Sequence, residues 1–344
     1  MNHRPLKQVA VWQNVDQTVF ETHIQPLAEP AILKGFVKQW PLIKNNANQD
    51  KQQLIKDLEA LYIGGDVQYA QLDKSTANGR YFYNSQFNGF NFERKIASFA
   101  HFSQQLLSTP VSANKAFAIQ SAPVRDYFPN FEQAHKLGLF DDLVAPRFWL
   151  GNQSTVVPHY DDADNIACSV IGKRRFTLFP PDQINNLYVG PLNFTPAGAP
   201  VSLVDVNQPD FNAFPKFSTA LNHALVAELA PGDALYIPTL WWHNVEALDD
   251  VNMLVNYWQG GSISSTEKPV AMDTLLMSLL TLKHLPAHKR KAWQAFFNYY
   301  IFESTADSFE HIPSHIKGIL GDLNDTQKQQ ISQWLTSQLS NKNS

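Results

Sequence analysis

PRFWLGNQSTVVPHYDDADNIACSVIGKRRFTLFP, residues 146–180, decides the fold of this chain of 344 residues. Aromatic and β-branched residues fill 146–157, 165–171 and 174–179, and polar or glycine-containing steps separate the three runs, a pattern that suits short strands. Further strands are expected at 225–229, 233–237, 242–247 and 251–258, with no helix of convincing length between them. Many short strands with turn signals point to an antiparallel sandwich or barrel. The long, proline-containing, aromatic segment 180–224 is expected to cover one end of it.

Within that stretch, PHYDDADN (158–165) crowds three carboxylates and a histidine into eight positions. On a strand, side chains at i and i+2 share a face, whereas on a helix they lie about 200° apart. A strand through His159 and Asp161 therefore aims both at one ion. By alternation Asp162 faces away, and Asp164 lies beyond the pair, so both are expected to be bystanders or outer groups.

The third ligand is sought among the other histidines. His3, His284, His288, His311 and His315 sit in polar or terminal stretches. His243 follows PGDALYIPTLWW (231–242), where a turn at Pro231-Gly232 leads into an apolar strand and then a second strand, HNVEAL (243–248). Together His159, Asp161 and His243 make a two-histidine, one-carboxylate set, which holds one face of a non-haem Fe(II) and leaves positions open. A structural zinc would fill its coordination sphere.

Fe(II) needs electrons to activate O2, and 2-oxoglutarate supplies them while chelating the metal through its keto-acid end. Its far carboxylate then needs a buried cation. In RRFTLFP (174–180), Arg174 shares parity with Phe176 and Leu178, so an inward apolar face makes Arg174 the interior cation. A planar guanidinium binds a carboxylate through two parallel hydrogen bonds.

Composition narrows the partners. Lys and Arg total 27 against 31 Asp and Glu, and a net charge of −4 gives no general attraction to nucleic acid or anionic membrane. The basic stretch KHLPAHKRK (283–291) is expected to be a solvated helix face. The single cysteine, Cys168, excludes an intramolecular disulfide framework and a cysteine-rich metal site, which fits a reducing cytoplasm. MNHRPLKQVAVWQNVDQ at the start lacks the apolar core of a signal peptide, and no apolar run of about 18 residues suggests a membrane span. A soluble, cytoplasmic protein is expected.

Three regions are expected. Residues 1–120 form a mixed α/β region packing on the core, with a helix over 50–62 (Leu54, Leu58, Leu61), helical turns at 102–108 and a strand at 115–121. Residues 121–262 form a jelly-roll core. Residues 263–344 form a helical tail, with helices at 271–285, 288–302 and 325–339, the last capped by Asp325, open to homodimerisation.

These residues resemble the Jumonji C, or cupin-like, Fe(II)/2-oxoglutarate oxygenases, most closely the subgroup of the asparaginyl hydroxylase that acts on hypoxia-inducible factor. HYDDADNIACSVIGKRRFTLFPPDQINNLY (159–188) and PGDALYIPTLWWHNVEAL (231–248) look like that subgroup's two core motifs, and NYWQGG (256–261) looks like its closing strand. The resemblance implies a double-stranded β-helix core with flanking helices and a helical C-terminal tail. It implies that His159, Asp161 and His243 bind iron, that Asn165 and Asn256 lie near metal and cosubstrate, and that Trp258 lines that pocket. Arg174 falls where the subgroup usually has lysine, Val156 replaces a hydroxyl residue, and Phe117 is matched to a tyrosine that helps hold the far carboxylate. Gln120 matches a substrate-contacting glutamine. The implied activity is hydroxylation of a protein or peptide side chain, with 2-oxoglutarate converted to succinate and CO2. A small-molecule hydroxylase, an N-methyl-lysine demethylase and a non-catalytic cupin-like binding protein remain the alternatives.

Overall fold

The structure, a computed structural model, describes residues 6–340 apart from 47, 49, 78, 111, 112, 142, 197, 265–268 and 306. The strands among the described residues begin with β1 (Lys7–Gln8), β2 (Ala10–Gln13), β3 (Ala31–Lys34), β4 (Asp66–Asp73), β5 (Arg80–Tyr81), β6 (Phe92–Ser98) and β7 (Lys115–Pro123). They continue with β8 (Arg147–Gly151), β9 (Ser154–His159), β10 (Asp164–Ile171), β11 (Arg174–Phe179), β12 (Leu225–Leu229), β13 (Ala234–Ile237), β14 (Trp242–Ala247) and β15 (Asn252–Gln259).

Two sheets result. The smaller runs β1-β12-β11-β14-β9-β5 and the larger β2-β3-β13-β10-β15-β8-β7-β4-β6. Side chains of both meet between them, where Phe176, Leu178, Ala227 and Val245 of the small sheet pack with Ala167, Leu235, Ile237 and Leu254 of the large one. This is the jelly-roll core. The second face of the large sheet is also covered, since Ile166, Cys168, Val170, Met253 and Val255 join Leu54, Leu58, Phe99 and Phe102 of the helices Lys51–Leu61 and Phe99–Ser108. A sheet buried on both faces has near-continuous apolar strands. IACSVI (166–171) is that kind of strand, and Cys168 is fully buried, which pushes its thiol pKa up.

The expected strand positions hold with two differences, and one expected helix cap moves by a residue. The run 146–157 is two strands, because Gly151 ends β8 where a Cβ would meet the Phe117 carbonyl oxygen at 2.3 Å. The β9 strand ends at His159, so Asp161 lies in the loop before β10 and not on a common strand with it. The helix Asp325–Ser340 is capped by Asn324 instead of Asp325, with reciprocal bonds between Asn324 and Gln327, each 3.0 Å.

Met1–Ser264 is one compact unit, in which β7 runs through residues 115–123 and joins the first region to the core sheet. Ser265–Ser344 is a second unit. It contains helices Ala271–Thr281 and Ala287–Phe297, and none of its described residues is buried. Leu275, Leu276, Trp293, Phe296 and Tyr300 are exposed.

Candidate metal centre

Strand register brings the two histidines together. His243 lies directly opposite His159 in the antiparallel pairing of β14 with β9, and their ring centroids are 4.3 Å apart. Asp161 comes to the same point from the loop beyond β9, its Oδ2 3.6 Å from His243 Nε2. One ligand atom from each residue lies within 4.8 Å of the others, close enough for one ion.

The outer contacts set the orientation of each side chain. His159 Nδ1 is 2.9 Å from the Val157 carbonyl, and His243 Nδ1 is 3.0 Å from the Trp241 carbonyl. A carbonyl only accepts, so each Nδ1 carries the hydrogen and each Nε2 turns a lone pair to the shared space. Burial, reinforced by the neighbouring His159 ring, holds the His243 pKa well below the usual histidine range, which keeps it in the neutral form that a ligand needs. Asp161 Oδ2 accepts from Trp258 Nε1 at 2.8 Å and from Asn165 Nδ2 at 3.1 Å. Asn256 Nδ2 in turn donates to Asn165 Oδ1 at 2.8 Å.

The other two acids hold the loop. Asp162 accepts from the Ser262 backbone and hydroxyl at 2.9 and 3.0 Å. Asp164 accepts from Tyr236, Thr239 and Gln25. Both stand outside the cluster of ligand atoms.

A cavity of about 100 Å³ adjoins the three residues, and Asn165, Asn256, Trp258, Trp149, Val156 and Arg174 also line it. Past Arg174 and Trp149 lies a recess of about 20 Å³ that Gln120 and Tyr81 share. Arg174 is 6% exposed, while its neighbour Arg175 points to solvent and pairs with Glu228 at 2.7 Å. The Arg174 Nε has no hydrogen-bond partner, and burial pushes the pKa of this group down to about 10, so it stays charged at neutral pH.

Phe117 is the expected residue that does not come to the site. Along β7, Phe117 and Ile119 turn toward the helix-covered core, Phe117 against Tyr69 with centroids 6.4 Å apart, whereas Ala118 and Gln120 face the recess. Phe117 thus lies on the face of β7 opposite to Ala118 and Gln120, since one position along a strand reverses the face.

Two cavity residues were not singled out from sequence. Trp149 was legible, since in FWLG it has opposite parity to Phe148 and Leu150. Tyr81 carried no such signal, because the turn-rich stretch around it gives no register. A third buried histidine, His135, belongs to the core, its ring bonded to the Phe131 carbonyl and the Leu42 N–H.

The model of the cupin-like domain matches residues 17–262, most of the chain. The chain belongs to the JmjC/cupin-like family. HSPB1-associated protein 1 of Bos taurus is 29% identical over 173 residues, 46% of this chain and 35% of the bovine protein. JmjC domain-containing protein F of Dictyostelium discoideum is 22% identical over 282 residues, 70% of this chain and 59% of that protein. tRNA wybutosine-synthesizing protein 5 of Danio rerio is 33% identical over 129 residues, 35% of this chain and 37% of the fish protein. The chain thus spans about a third of the bovine relative and less than two thirds of each of the others. The three clustered residues of this JmjC/cupin-like chain fit Fe(II), and no helix among its described residues is long and apolar enough to cross a membrane.

Proposed function

We propose that this chain is an Fe(II)- and 2-oxoglutarate-dependent oxygenase that hydroxylates a side chain of a protein or peptide. One observation carries the reading: a single cavity contains both an open two-histidine, one-carboxylate set and a buried guanidinium whose Nε has no partner. His159, Asp161 and His243 would hold the metal, and Arg174 would hold the far carboxylate of the cosubstrate. Asn165, Asn256 and Trp258 keep Asp161 oriented through the bonds described above.

Bound Fe(II), with 2-oxoglutarate and O2, supplies the oxidation: one oxygen atom enters a substrate C–H bond, the other enters succinate, and CO2 leaves. The residues of the chain place the reactants. Bonds to the Val157 and Trp241 carbonyls aim the two imidazoles, and the wall of Phe176, Val245 and Leu254 limits water.

The substrate class has weaker supports. HSPB1-associated protein 1 is named for association with a protein, and the net charge of −4 here disfavours a nucleic-acid substrate of the kind named in the tRNA-modifying relative. The exposed apolar side chains of the tail support association with a second copy, and sedimentation equilibrium showing only monomer would remove that reading. For the activity, the protein loaded with Fe(II) should release CO2 and succinate from 2-oxoglutarate in air, and His159→Ala should not. A peptide library should then contain members that gain one oxygen atom by mass spectrometry. No CO2 release, with metal and cosubstrate both bound and every library peptide tried, would sink the proposal.

A further inference from the structure

We propose that Arg147 sets substrate specificity, its guanidinium receiving a side-chain carboxylate of the peptide close to the residue that is oxidised. The inference rests on the peptide reading above and deepens it.

Strand parity puts Arg147 at the metal end of the cavity. On β8, Phe148 and Leu150 turn into the helix-covered core while Trp149 lines the cavity, so Arg147 shares the cavity face. Its row follows from the pairing with β15, in which Trp149 lies opposite Leu254 and Arg147 opposite Asn256, two residues before the Trp258 that bonds Asp161. Trp149 borders both the cavity and the recess beyond Arg174, which leaves Arg147 on the metal side of it. The side chain is half-buried there, between cavity and solvent.

A bulge fixes the guanidinium. The pairing of β7 with β8 slips between Ile119, opposite Leu150, and Ala122, opposite Phe148, so Gln120 and Ser121 together face the single residue Trp149. Bulges of this kind re-aim side chains beside active sites. Ser121 takes a left-handed backbone conformation, with φ of +50°, and lines the cavity. Such a conformation costs free energy in a residue other than glycine, and here it accompanies a seat for Arg147. The Arg147 Nε donates to both the carbonyl and the hydroxyl of Ser121, each at 2.8 Å. With Nε so held, the two terminal nitrogens are left over, and they make no hydrogen bond or ion pair with any described residue. The acid Asp126 is close enough to favour the charged form without pairing with it.

The free edge of a guanidinium matches a carboxylate through two parallel hydrogen bonds. A peptide carbonyl would take those bonds without the attraction of opposite charge, which a half-buried place screens less than open water does. An acidic side chain near the target residue is therefore the partner that this position selects.

The test uses the full-length Fe(II) protein with 2-oxoglutarate in air and a synthetic pool of peptides of randomised sequence, read by mass spectrometry for members that gain one oxygen atom. Members oxidised by the wild type should be enriched in Asp or Glu at one fixed spacing from the oxidised residue. In one such peptide, changing that acid to its amide should raise KM about 10- to 100-fold, the range for a hydrogen bond between charged groups, with kcat little changed. The same peptide change should cost nothing in Arg147→Met, which keeps the stem of the side chain. Arg147→Lys, which keeps the charge without the fork, should retain a weaker preference, and Arg147→Glu should move the enrichment to Lys or Arg at that spacing. A purely structural role for Arg147 would instead slow every peptide alike. Oxidised peptides with no acid preference, or a preference that survives in Arg147→Met, would overturn the inference while the peptide reading stands. If the pool yields no oxidised peptide, the peptide reading fails and this inference with it.

Discussion

Replacing Arg174 by methionine should stabilise the ligand-free protein. Burial brings the Arg174 pKa from 12.5 to about 10, and at about 1.4 kcal/mol per pKa unit this corresponds to about 3 kcal/mol of unfavourable burial of the charge. No bonded acid offsets it, since Nε has no partner and the nearby carboxylate Asp161 is committed to Trp258 and Asn165. Methionine retains most of the stem that packs in the same row as Phe176, and removes the charge. Replacing buried ionic groups by apolar ones of similar size is often neutral or stabilising by about 1–4 kcal/mol, so a gain of about 1–3 kcal/mol is expected here. Urea unfolding of the two proteins, metal-free and followed by tryptophan fluorescence, reads this as a higher midpoint for the variant. In the presence of Mn(II), 2-oxoglutarate should then raise the wild-type midpoint and leave that of the variant where it was, because only the wild type binds the ligand in its folded form. A variant less stable than wild type by more than about 1 kcal/mol would refute the reasoning. It would mean that the fold itself satisfies the guanidinium and that no anion is missing.

Other consequences are independent of that cation. Asp161→Asn keeps an acceptor for Trp258 Nε1 but loses the anionic ligand, and Mn(II) affinity measured by calorimetry should fall by more than the 10- to 100-fold that is typical of an outer partner. Cys168, fully buried with its thiol pKa pushed up, should react with a thiol reagent only after unfolding; rapid labelling of native protein would show that its strand opens readily. Gly172→Ala should cost about 2 kcal/mol or more in urea unfolding, since Gly172 has φ of +73° and a Cβ would meet Asn252 Oδ1 at 2.4 Å and the Val251 carbonyl at 2.6 Å. That turn also sets the register of Arg174 in β11, so the same variant should bind 2-oxoglutarate more weakly.

The strands of the core were legible because turn residues separate short aromatic and β-branched runs, which are near-continuously apolar in β10 and β15, whose sheet is buried on both faces. His159, Asp161 and His243 could be named from ligand chemistry and strand ends, even though Asp161 proved to lie in a loop: a ligand just past a strand reaches the same ion as one on it. Arg174 was legible from parity against Phe176 and Leu178. Phe117 was misplaced because a short run such as AFAIQ has apolar residues on both faces, Phe117 and Ile119 on one and Ala116 and Ala118 on the other, so side-chain type cannot choose the register. Tyr81 was out of reach for a different reason. Its strand has two residues, and only its parallel pairing with β9, far along the chain, points it at the cavity.

The most direct test of the metal centre is anaerobic titration of the Fe(II)-loaded protein with 2-oxoglutarate, followed in the visible spectrum. A weak charge-transfer band that saturates at one equivalent, and that is absent in His243→Ala, is the predicted result. Bound iron with no such band at saturating 2-oxoglutarate would contradict the account, because the open face that His159, Asp161 and His243 leave would then not accept the chelate.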